Sequence, residues 1–436
     1  MAFAGPVLLK RIPDDPAKRR LIRYSDYCAT GGYEALKKSW TTPPEDIIKL
    51  VVESGLRGRG GAGFPCGTKW TFLPKDLHPR YLAVNFDESE PGTFKDRYLT
   101  DYDPHILLEG IAIAAYANRI TTSYIFIRGE YHHEAKILEE ALEEAYANGI
   151  FGKKLPGTDI VHNCYVHRGA GAYICGEETG LLEALEGKRG WPRIKPPFPA
   201  VAGAFAKPTI INNVETLACL PDIVLKGAAW FKGMGTPSSA GPKLYGISGH
   251  IHKPGVYEDE LGIKMSTLIE KYAGGVKGKY RAAIPGGVSM GILGTDQWDA
   301  ELDFDIGRKY NVLGLGTAGV IVMNDTTDLV LMLRNIVRFF AYESCGQCTP
   351  CREGTAWMHK MLNRIVAGFG RPRDFDMLME VGLSMGSMPG TTICGLADGA
   401  NWAVKTFLQK FPDDFKSRLK PEQVRGVTLT PAGATV

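Results

Sequence analysis

The chain has 436 residues, enough for roughly three domains, and its 44% apolar content is sufficient to build a core in each. Its 51 basic and 48 acidic residues leave a formal charge of only +3, interspersed along the sequence, which gives no case for a nucleic-acid partner. Nine cysteines, an odd number in so long a chain, argue against a secreted disulfide framework and for reduced thiols in a cytosol-like compartment.

Residues 1–23 carry Lys10, Arg11, Lys18, Arg19, Arg20 and Arg23 beside Asp14 and Asp15, with no apolar core ahead of a small-residue cleavage site. That pattern predicts no signal peptide. Up to about residue 40 the sequence reads as an irregular arm rich in proline and charge. A helix is predicted over 44–53, where Ile47, Ile48, Val51 and Val52 share one side. A glycine-rich segment follows at 55–65, then a strand at 81–86 and an acidic turn at 87–92. Helices over 105–118 and 132–148 alternate with strands over 123–128 and 160–167; a second glycine turn, Gly169-Ala170-Gly171, leads into a helix near 177–185. Such alternation predicts a mostly parallel α/β sheet, whose strand-to-helix glycine turns are where phosphorylated ligands bind.

The texture changes at Lys243. Short β-like runs at 255–257, 282–284 and 320–323, with one helix near 266–272, read as a small α+β unit ending near 324. The remainder is helical. Leu329, Met332, Leu333, Ile336, Val337 and Phe340 share one helical face, with Asp325, Thr326 and Thr327 as candidate N-caps. Met358, Met361, Leu362, Ile365 and Val366 form a second such face, and Val404, Phe407, Leu408 and Phe411 a third. No apolar run reaches the ~18–20 residues of a membrane span. The stretch 106–116 is broken by Glu109, and 329–340 by Arg334 and Arg338. If the protein works at a membrane, other subunits hold it there.

The strongest chemical signal is Cys345-Gly346-Gln347-Cys348-Thr349-Pro350-Cys351, answered by a distant Cys394. Thiolates are soft ligands that select zinc or iron–sulfur. Zinc usually takes paired Cys-x2-Cys motifs; three clustered cysteines and one remote one follow the iron–sulfur style. Cys28, Cys66, Cys164, Cys175 and Cys219 lack ligand spacing and read as structural.

Upstream, Gly58, Gly60 and Gly63 match Gly-x-Gly-x-x-Gly but follow a helix instead of a strand, a departure from the dinucleotide fingerprint. Lys69 can meet phosphate or carboxylate there, and Phe64, Trp70 and Phe72 can stack on a planar ring; the bland alternative is a core turn. Asn85, Asp87, Glu88, Ser89 and Glu90 follow a strand, either as a solvated loop or as acceptors for ribose or ribityl hydroxyls. Tyr173, Gly176, Glu177 and Glu178 repeat the idea at a second turn, Asn212, Asn213 and Thr216 offer neutral partners for phosphate, and Lys195-Pro196-Pro197-Phe198 is a stiff loop holding a ring. Five such elements in one α/β region point to a bound nucleotide.

These motifs, with Gly58 to Pro65, Asp87 to Gly92, Gly169 to Thr179, Lys195 to Ala200, Asn212 to Thr216 and Glu343 to Gly354 in order, resemble the NADH-binding flavoprotein subunit (51 kDa type) of respiratory complex I, across about residues 31–411. The resemblance implies an NADH dehydrogenase with FMN and NADH in one cavity and a four-iron (4Fe-4S) cluster nearby. It implies flavin contacts at Gly58, Gly60, Lys69, Asn85, Asp87, Glu88, Glu90, Tyr173, Gly176, Glu177, Glu178, Asn212, Asn213 and Thr216, with Gly63 and Ser89 in the same turns. Nucleotide contacts fall on Gly61, Ala62, Phe64, Phe72, Glu90, Glu178, Lys195 and Phe198, with Thr317 an additional candidate. No side chain need act as an acid or base; Glu90 and Glu178 orient the nucleotide. Cys345, Cys348, Cys351 and Cys394 would ligate the cluster.

The implied architecture is a Rossmann-like FMN/NADH domain with the arm (1–240), a ubiquitin-like β-grasp domain (241–325) and a helical cluster domain (326–436). The implied setting is cytoplasmic, at the inner face of the cell membrane within a complex, beside a smaller 2Fe-2S subunit and a larger multi-cluster iron–sulfur subunit, with the membrane arm reached indirectly. Two departures stand out: Cys66 replaces a usual threonine, which would make the nucleotide loop thiol-sensitive, and Gly395 replaces an alanine or proline after the last ligand, which would loosen the cluster or flavin edge. Competing readings are the diaphorase subunit of an NAD-linked hydrogenase or formate dehydrogenase, and a non-catalytic zinc-binding interaction protein.

Overall fold

The structure, a computed structural model, describes residues 5–386 and 390–420. Its centre is a parallel sheet of β1 (Tyr81–Phe86), β2 (Thr122–Ile127), β3 (Asn163–Arg168) and β4 (Thr209–Asn213), in spatial order β3-β2-β1-β4. The register pairs Asn85 at the end of β1 with Asn213 at the end of β4, so both amides stand at the carboxyl edge where open α/β sheets bind ligands.

Alternation along the strands gives the sheet two apolar faces. Leu82, Val84, Phe86, Ile125, Ile127 and Ile210 pack into one core with the helix Pro104–Asn118. Ala83, Phe126 and Ile211 face the opposite core, which is shared with Leu333, Val337, Phe340, Val404 and Phe407 of the C-terminal helices. The Pro104–Asn118 helix is apolar all round because every residue in it is buried. Its one carboxylate, Glu109, accepts the Tyr27 hydroxyl at 2.5 Å and the Leu36 N–H at 3.0 Å.

Those two bonds explain a correction: the N-terminal arm is not irregular. It forms the helices Tyr24–Ala29 and Glu34–Trp40, anchored on Glu109. Further up, the N–H groups of Val7, Leu8 and Leu9 converge on the buried Glu258 carboxylate at 2.8–3.0 Å. Both anchors are long-range, so the local composition gave no sign of them.

The second sheet contains β5 (Pro242–Gly249), β6 (Gly255–Glu260), β7 (Tyr280–Ile284) and β8 (Gly319–Asn324), in order β6-β5-β8-β7. β5 and β6 are antiparallel, β8 runs parallel to β5 and antiparallel to β7, and the helix Met265–Lys271 lies between the second and third strands in sequence. Its own core includes Tyr245, Ile247, Leu268, Ile269 and Val320.

The C-terminal bundle contains the helices Leu329–Glu343, Thr349–Val366, Pro372–Met385 and Leu396–Lys410. The first is capped by Asp328, which accepts the N–H groups of Val330 and Leu331 at 3.1 and 3.0 Å. The expected caps one turn earlier belong instead to a turn closed by the Asn324 side chain. The helix Pro372–Met385 has no counterpart in the sequence expectation. Among the described residues no helix is long and apolar enough to cross a membrane.

Candidate functional site

A cavity of about 600 Å³ lies at the carboxyl edge of the parallel sheet, a size typical of small-molecule sites. Its wall gathers most of the sequence candidates: Gly60, Gly61, Ala62, Asn85, Asp87, Glu88, Ser89, Glu90, Tyr173, Gly176, Glu177, Asn213 and Thr317. Backbone forms much of one side. A Cβ at Gly60 would meet the Cβ of Asn213 at 2.9 Å, whereas one at Gly61 (φ +146°) would meet nothing within 4 Å. Only glycine allows the loop to lie against β4 and turn towards the cavity there.

The carboxylates at this edge have distinct jobs. The Asn85 side chain donates to the Gly176 carbonyl at 2.9 Å and accepts the Asp87 N–H at 3.1 Å, tying the two turns together. Ser89 donates to Asp87. Burial pushes the Asp87 carboxyl up to about 7, although Ser89 and Arg128 oppose the shift. Glu88 is also pushed up to about 7, by burial and then by Asp96. Its carboxylate accepts the Asp96 and Arg97 N–H groups at 2.8 and 3.1 Å, so it holds the start of the helix Lys95–Tyr102. Glu90 is gripped from two directions. One oxygen accepts the Ser289 N–H at 2.7 Å and its hydroxyl at 2.8 Å; the other accepts the Tyr173 hydroxyl at 2.7 Å. Burial raises the Glu90 carboxyl above its usual range while these donors hold it back.

A second group gathers around Glu177. Glu177 caps the helix Glu178–Leu185 by accepting the Thr179 and Gly180 N–H groups at 2.7 and 2.9 Å. Lys195 donates to Glu177 at 3.1 Å and to Glu178 at 2.7 Å, and Lys69 lies 3.6 Å from Glu178. Burial would raise Glu178, but Lys69 and Lys195 hold it below its usual range. Phe64, Phe72 and Phe198 are exposed, and the first two rings lie 6.1 Å apart. Gly58, Gly63, Lys69, Glu178 and Lys195 stand off the cavity wall with these rings.

Asn212 and Thr216 lie buried behind the wall, not on it. Asn212 accepts the Trp70 indole N–H at 3.0 Å and donates to the Cys66 sulfur at 3.5 Å; the Thr216 hydroxyl accepts the Arg59 N–H at 2.8 Å. They fix the glycine loop to β4. The expected thiol sensitivity at Cys66 is overturned by the same geometry. Cys66 is 1% exposed and burial pushes its thiol up to about 12, the reverse of the exposed, low-pKa setting a reactive cysteine needs.

The four clustered cysteines sit where the bundle meets the cavity. Cys345 and Cys348 lie in the loop between the first two bundle helices, Cys351 in the first turn of the second, and Cys394 just before the fourth. Burial raises Cys351, with Cys348 and Cys345 adding to it, and burial pushes Cys394 up to about 12, with Cys351 and Cys345 adding to it. The Ile393 N–H reaches the Cys348 sulfur at 3.4 Å, and Ser344 reaches the Cys351 sulfur at 3.2 Å. A quartet of soft donors with hydrogen bonds to its sulfurs fits a thiolate-held cluster. Among the described residues no three His, Cys, Asp or Glu side chains gather around a single-ion point. Cys394, Gly395 and Leu396 line the same cavity as Asp87 and Glu90. A Cβ at Gly395 would meet nothing within 4 Å, so the missing methyl leaves open space on that wall.

Part of the wall was not foreseen. Gly286, Ser289, Met290, Phe304 and Leu313 to Gly316 come from the second sheet's loops, beside the expected Thr317. The signal was in the sequence: Gly286-Gly287 follows the β7 strand as the other glycine turns follow theirs. Gly287 has φ +96°, and a Cβ there would strike the Glu90 side chain.

Comparison with known proteins bears on this arrangement. A family profile described as the Nuo51 FMN-binding domain matches residues 51–222, and one described as the NADH-ubiquinone oxidoreductase-F iron-sulfur binding region matches 331–418. The second F subunit of the NADH-quinone oxidoreductase of Rhizobium meliloti (strain 1021) is 49% identical over 419 residues, covering 95% of this chain and 98% of the relative. The chain belongs to the family of NADH-quinone oxidoreductase F subunits. The mitochondrial NADH dehydrogenase [ubiquinone] flavoprotein 1 of Dictyostelium discoideum is 48% identical, covering 87% of this chain and 80% of that protein. Among solved structures, an NAD+-reducing [NiFe]-hydrogenase in the air-oxidized state matches with a TM-score of 0.82 at 34% identity, over 94% of this chain and 71% of that one. The two regions that match the NADH-quinone oxidoreductase profiles fall on the cavity's glycine and carboxylate turns and on the cysteine quartet.

Proposed function

We propose that this chain is the electron-input subunit of an NADH:quinone oxidoreductase, with FMN and NADH sharing the cavity and a 4Fe-4S cluster on Cys345, Cys348, Cys351 and Cys394. The observation that carries this reading is the double role of Cys394: it belongs to the thiol quartet and to the cavity wall. When bound, FMN supplies the conversion of a hydride pair into single electrons and the cluster carries them onward.

The residues supply binding and orientation. Gly60, Gly61, Asn85, Asp87, Gly176 and Asn213 offer the backbone and polar edge for the flavin, with Asn212 and Thr216 bracing that edge from behind. Phe64, Phe72 and Phe198 present exposed rings for the nucleotide's adenine, and Lys195 with Glu178 meets its polar groups. Glu90, fixed by Ser289 and Tyr173, orients the nicotinamide end. We assign residues 1–240 to a Rossmann-like FMN/NADH unit, 241–325 to a ubiquitin-like β-grasp unit, supported by the β6-β5-β8-β7 order, and 326–436 to a helical cluster unit, with 1–4, 387–389 and 421–436 outside the described residues. Partners in this reading are a smaller 2Fe-2S subunit and a larger iron–sulfur subunit at the inner membrane face.

The test is the purified protein's spectrum and composition. A yellow-brown sample that releases FMN, contains iron and acid-labile sulfide, and reduces ferricyanide with NADH supports the reading. A colourless zinc protein without flavin sinks it. The likeness to the NAD+-reducing hydrogenase favours a second reading, a hydrogenase diaphorase. Mass spectrometry of copurifying subunits separates the two.

A further inference from the structure

We propose that Ser344 donates its hydroxyl hydrogen to the Cys351 sulfur and thereby raises the reduction potential of the cluster held by the cysteine quartet. Ser344 is the residue that ends the helix Leu329–Glu343, with φ −57° and ψ 123°. Its N–H bonds the Phe340 carbonyl at 3.0 Å, so the helix end fixes its backbone. Its Oγ lies 3.2 Å from the Cys351 Sγ. Among the described residues that hydroxyl has no other partner. The neighbouring hydroxyl of Thr355 is committed elsewhere, to the Cys351 carbonyl at 2.8 Å.

In the free thiol either atom can donate. A sulfur that ligates a metal has lost its proton and can only accept, so the loaded site leaves Ser344 as the donor. Adding an electron to a cluster increases negative charge on its sulfurs. A donor aimed at one of them stabilises the reduced state more than the oxidised state, and hydrogen bonds to the sulfurs are among the levers that set cluster potential. The other sulfur contacts among the described residues are backbone ones, from the Ile393 N–H to Cys348 at 3.4 Å and from the Leu396 N–H to Cys394, which no side-chain change removes. Ser344 is therefore a side-chain lever on this site, acting as a positioning residue through Cys351. The bond between the Trp191 indole N–H and the Cys345 carbonyl, at 3.0 Å, braces the loop without touching a sulfur.

The inference rests on the four cysteines being cluster ligands. The test is an electron paramagnetic resonance redox titration of the intact complex carrying wild-type, Ser344→Ala or Ser344→Thr subunits, with iron, sulfide and flavin measured on each sample. The expected result is full cluster content in all three, with the reduction equilibrium of Ser344→Ala moved about tenfold against reduction, 59 mV for a one-electron couple. Ser344→Thr keeps the wild-type potential, and the flavin midpoint does not move. A fully loaded Ser344→Ala protein with the wild-type potential overturns the proposal. Loss of the cluster from Ser344→Ala, with retention in Ser344→Thr, makes the hydroxyl a requirement for assembling the loop and also overturns it. Wild-type protein lacking iron and sulfide fails the reading of the cysteines themselves, which is a distinguishable result.

Discussion

Glu215→Gln is expected to loosen the joint between the two sheets. Glu215 is fully buried in the short helix that follows β4. One of its oxygens meets Lys243 at 2.6 Å and Lys95 at 2.9 Å; the other accepts the Leu244 N–H at 2.9 Å. Lys243 and Leu244 belong to β5, and Lys95 opens the helix that Glu88 holds beside the cavity. Glutamine keeps the shape and an acceptor oxygen, but leaves Lys95 with Asp96 and Lys243 with no contacting carboxylate among the described residues.

Removing one partner of a buried ion pair costs about 3–5 kcal/mol. At roughly 2–4 °C per kcal/mol for a cooperative unit of 150–250 residues, the melting temperature falls by about 6–20 °C. The sign with pH follows from Lys243, which burial lowers to about 8 despite Glu215. Without Glu215 it falls further, and the fold must hold it neutral. A depressed lysine weakens the fold at neutral pH and does so less as pH rises towards the unfolded value of ~10.4. The deficit should therefore shrink between pH 7 and pH 9 in thermal unfolding followed by circular dichroism. Adding Lys243→Met to the Glu215→Gln background removes the stranded charge and should recover part of the loss. A melting-temperature change below about 2 °C, or strictly additive effects in the double variant, would refute the reasoning.

Glu90→Gln should slow or weaken NADH use while FMN stays bound; losing charge-assisted hydrogen bonds worth ~1.5–3 kcal/mol predicts about a tenfold effect or more on kcat/KM, and unchanged NADH kinetics would count against the assignment. Asp87 carries its carboxyl at about 7 because of burial, so it stabilises the ligand-free fold fully below its unfolded value of ~3.9 and loses that contribution as pH rises through 7. Asp87→Asn should flatten the stability profile over that window and melt higher than wild type at pH 8; parallel profiles would contradict the shift. Buried Cys66 should resist alkylation under native conditions while half-buried Cys28 reacts, and rapid labelling of Cys66 by mass spectrometry would show that the loop opens.

Three strands of the parallel sheet were legible as short runs between turn residues, whereas β4 (Thr209–Asn213) was not predicted as a strand, because it is brief and ends in two asparagines. β1 and the helix Pro44–Glu53 have the predicted limits. The arm was not legible, since Glu109 and Glu258, which hold it, are distant in sequence and read locally as interruptions. The cavity's polar edge could be read from its glycine and carboxylate turns. Its far wall was read only at Thr317; the Gly286-Gly287 turn marked the rest, but Ser289 is 199 positions from the carboxylate it grips. Asn212 and Thr216, named for a ligand by motif, lie just behind that edge, with polar atoms that meet Trp70, Cys66 and Arg59.

The second sheet sits where it does for a reason that joins these observations. A Cβ at Gly399, in the first turn of the helix that follows Cys394, would meet the Ser289 Cβ at 2.8 Å, so that helix lies directly on the turn that grips Glu90. The Thr406 hydroxyl accepts the Ile292 N–H at 3.0 Å, and Lys410 donates to the Ile292 carbonyl at 2.7 Å. One short segment, 288–292, is thus fastened to the Leu396–Lys410 helix on one side and to Glu90 on the other. Packed interiors transmit displacement because they have no slack. Moving the Leu396–Lys410 helix must then move Glu90, and the second sheet acts as the spacer that keeps Glu90 and Cys394 in fixed relation.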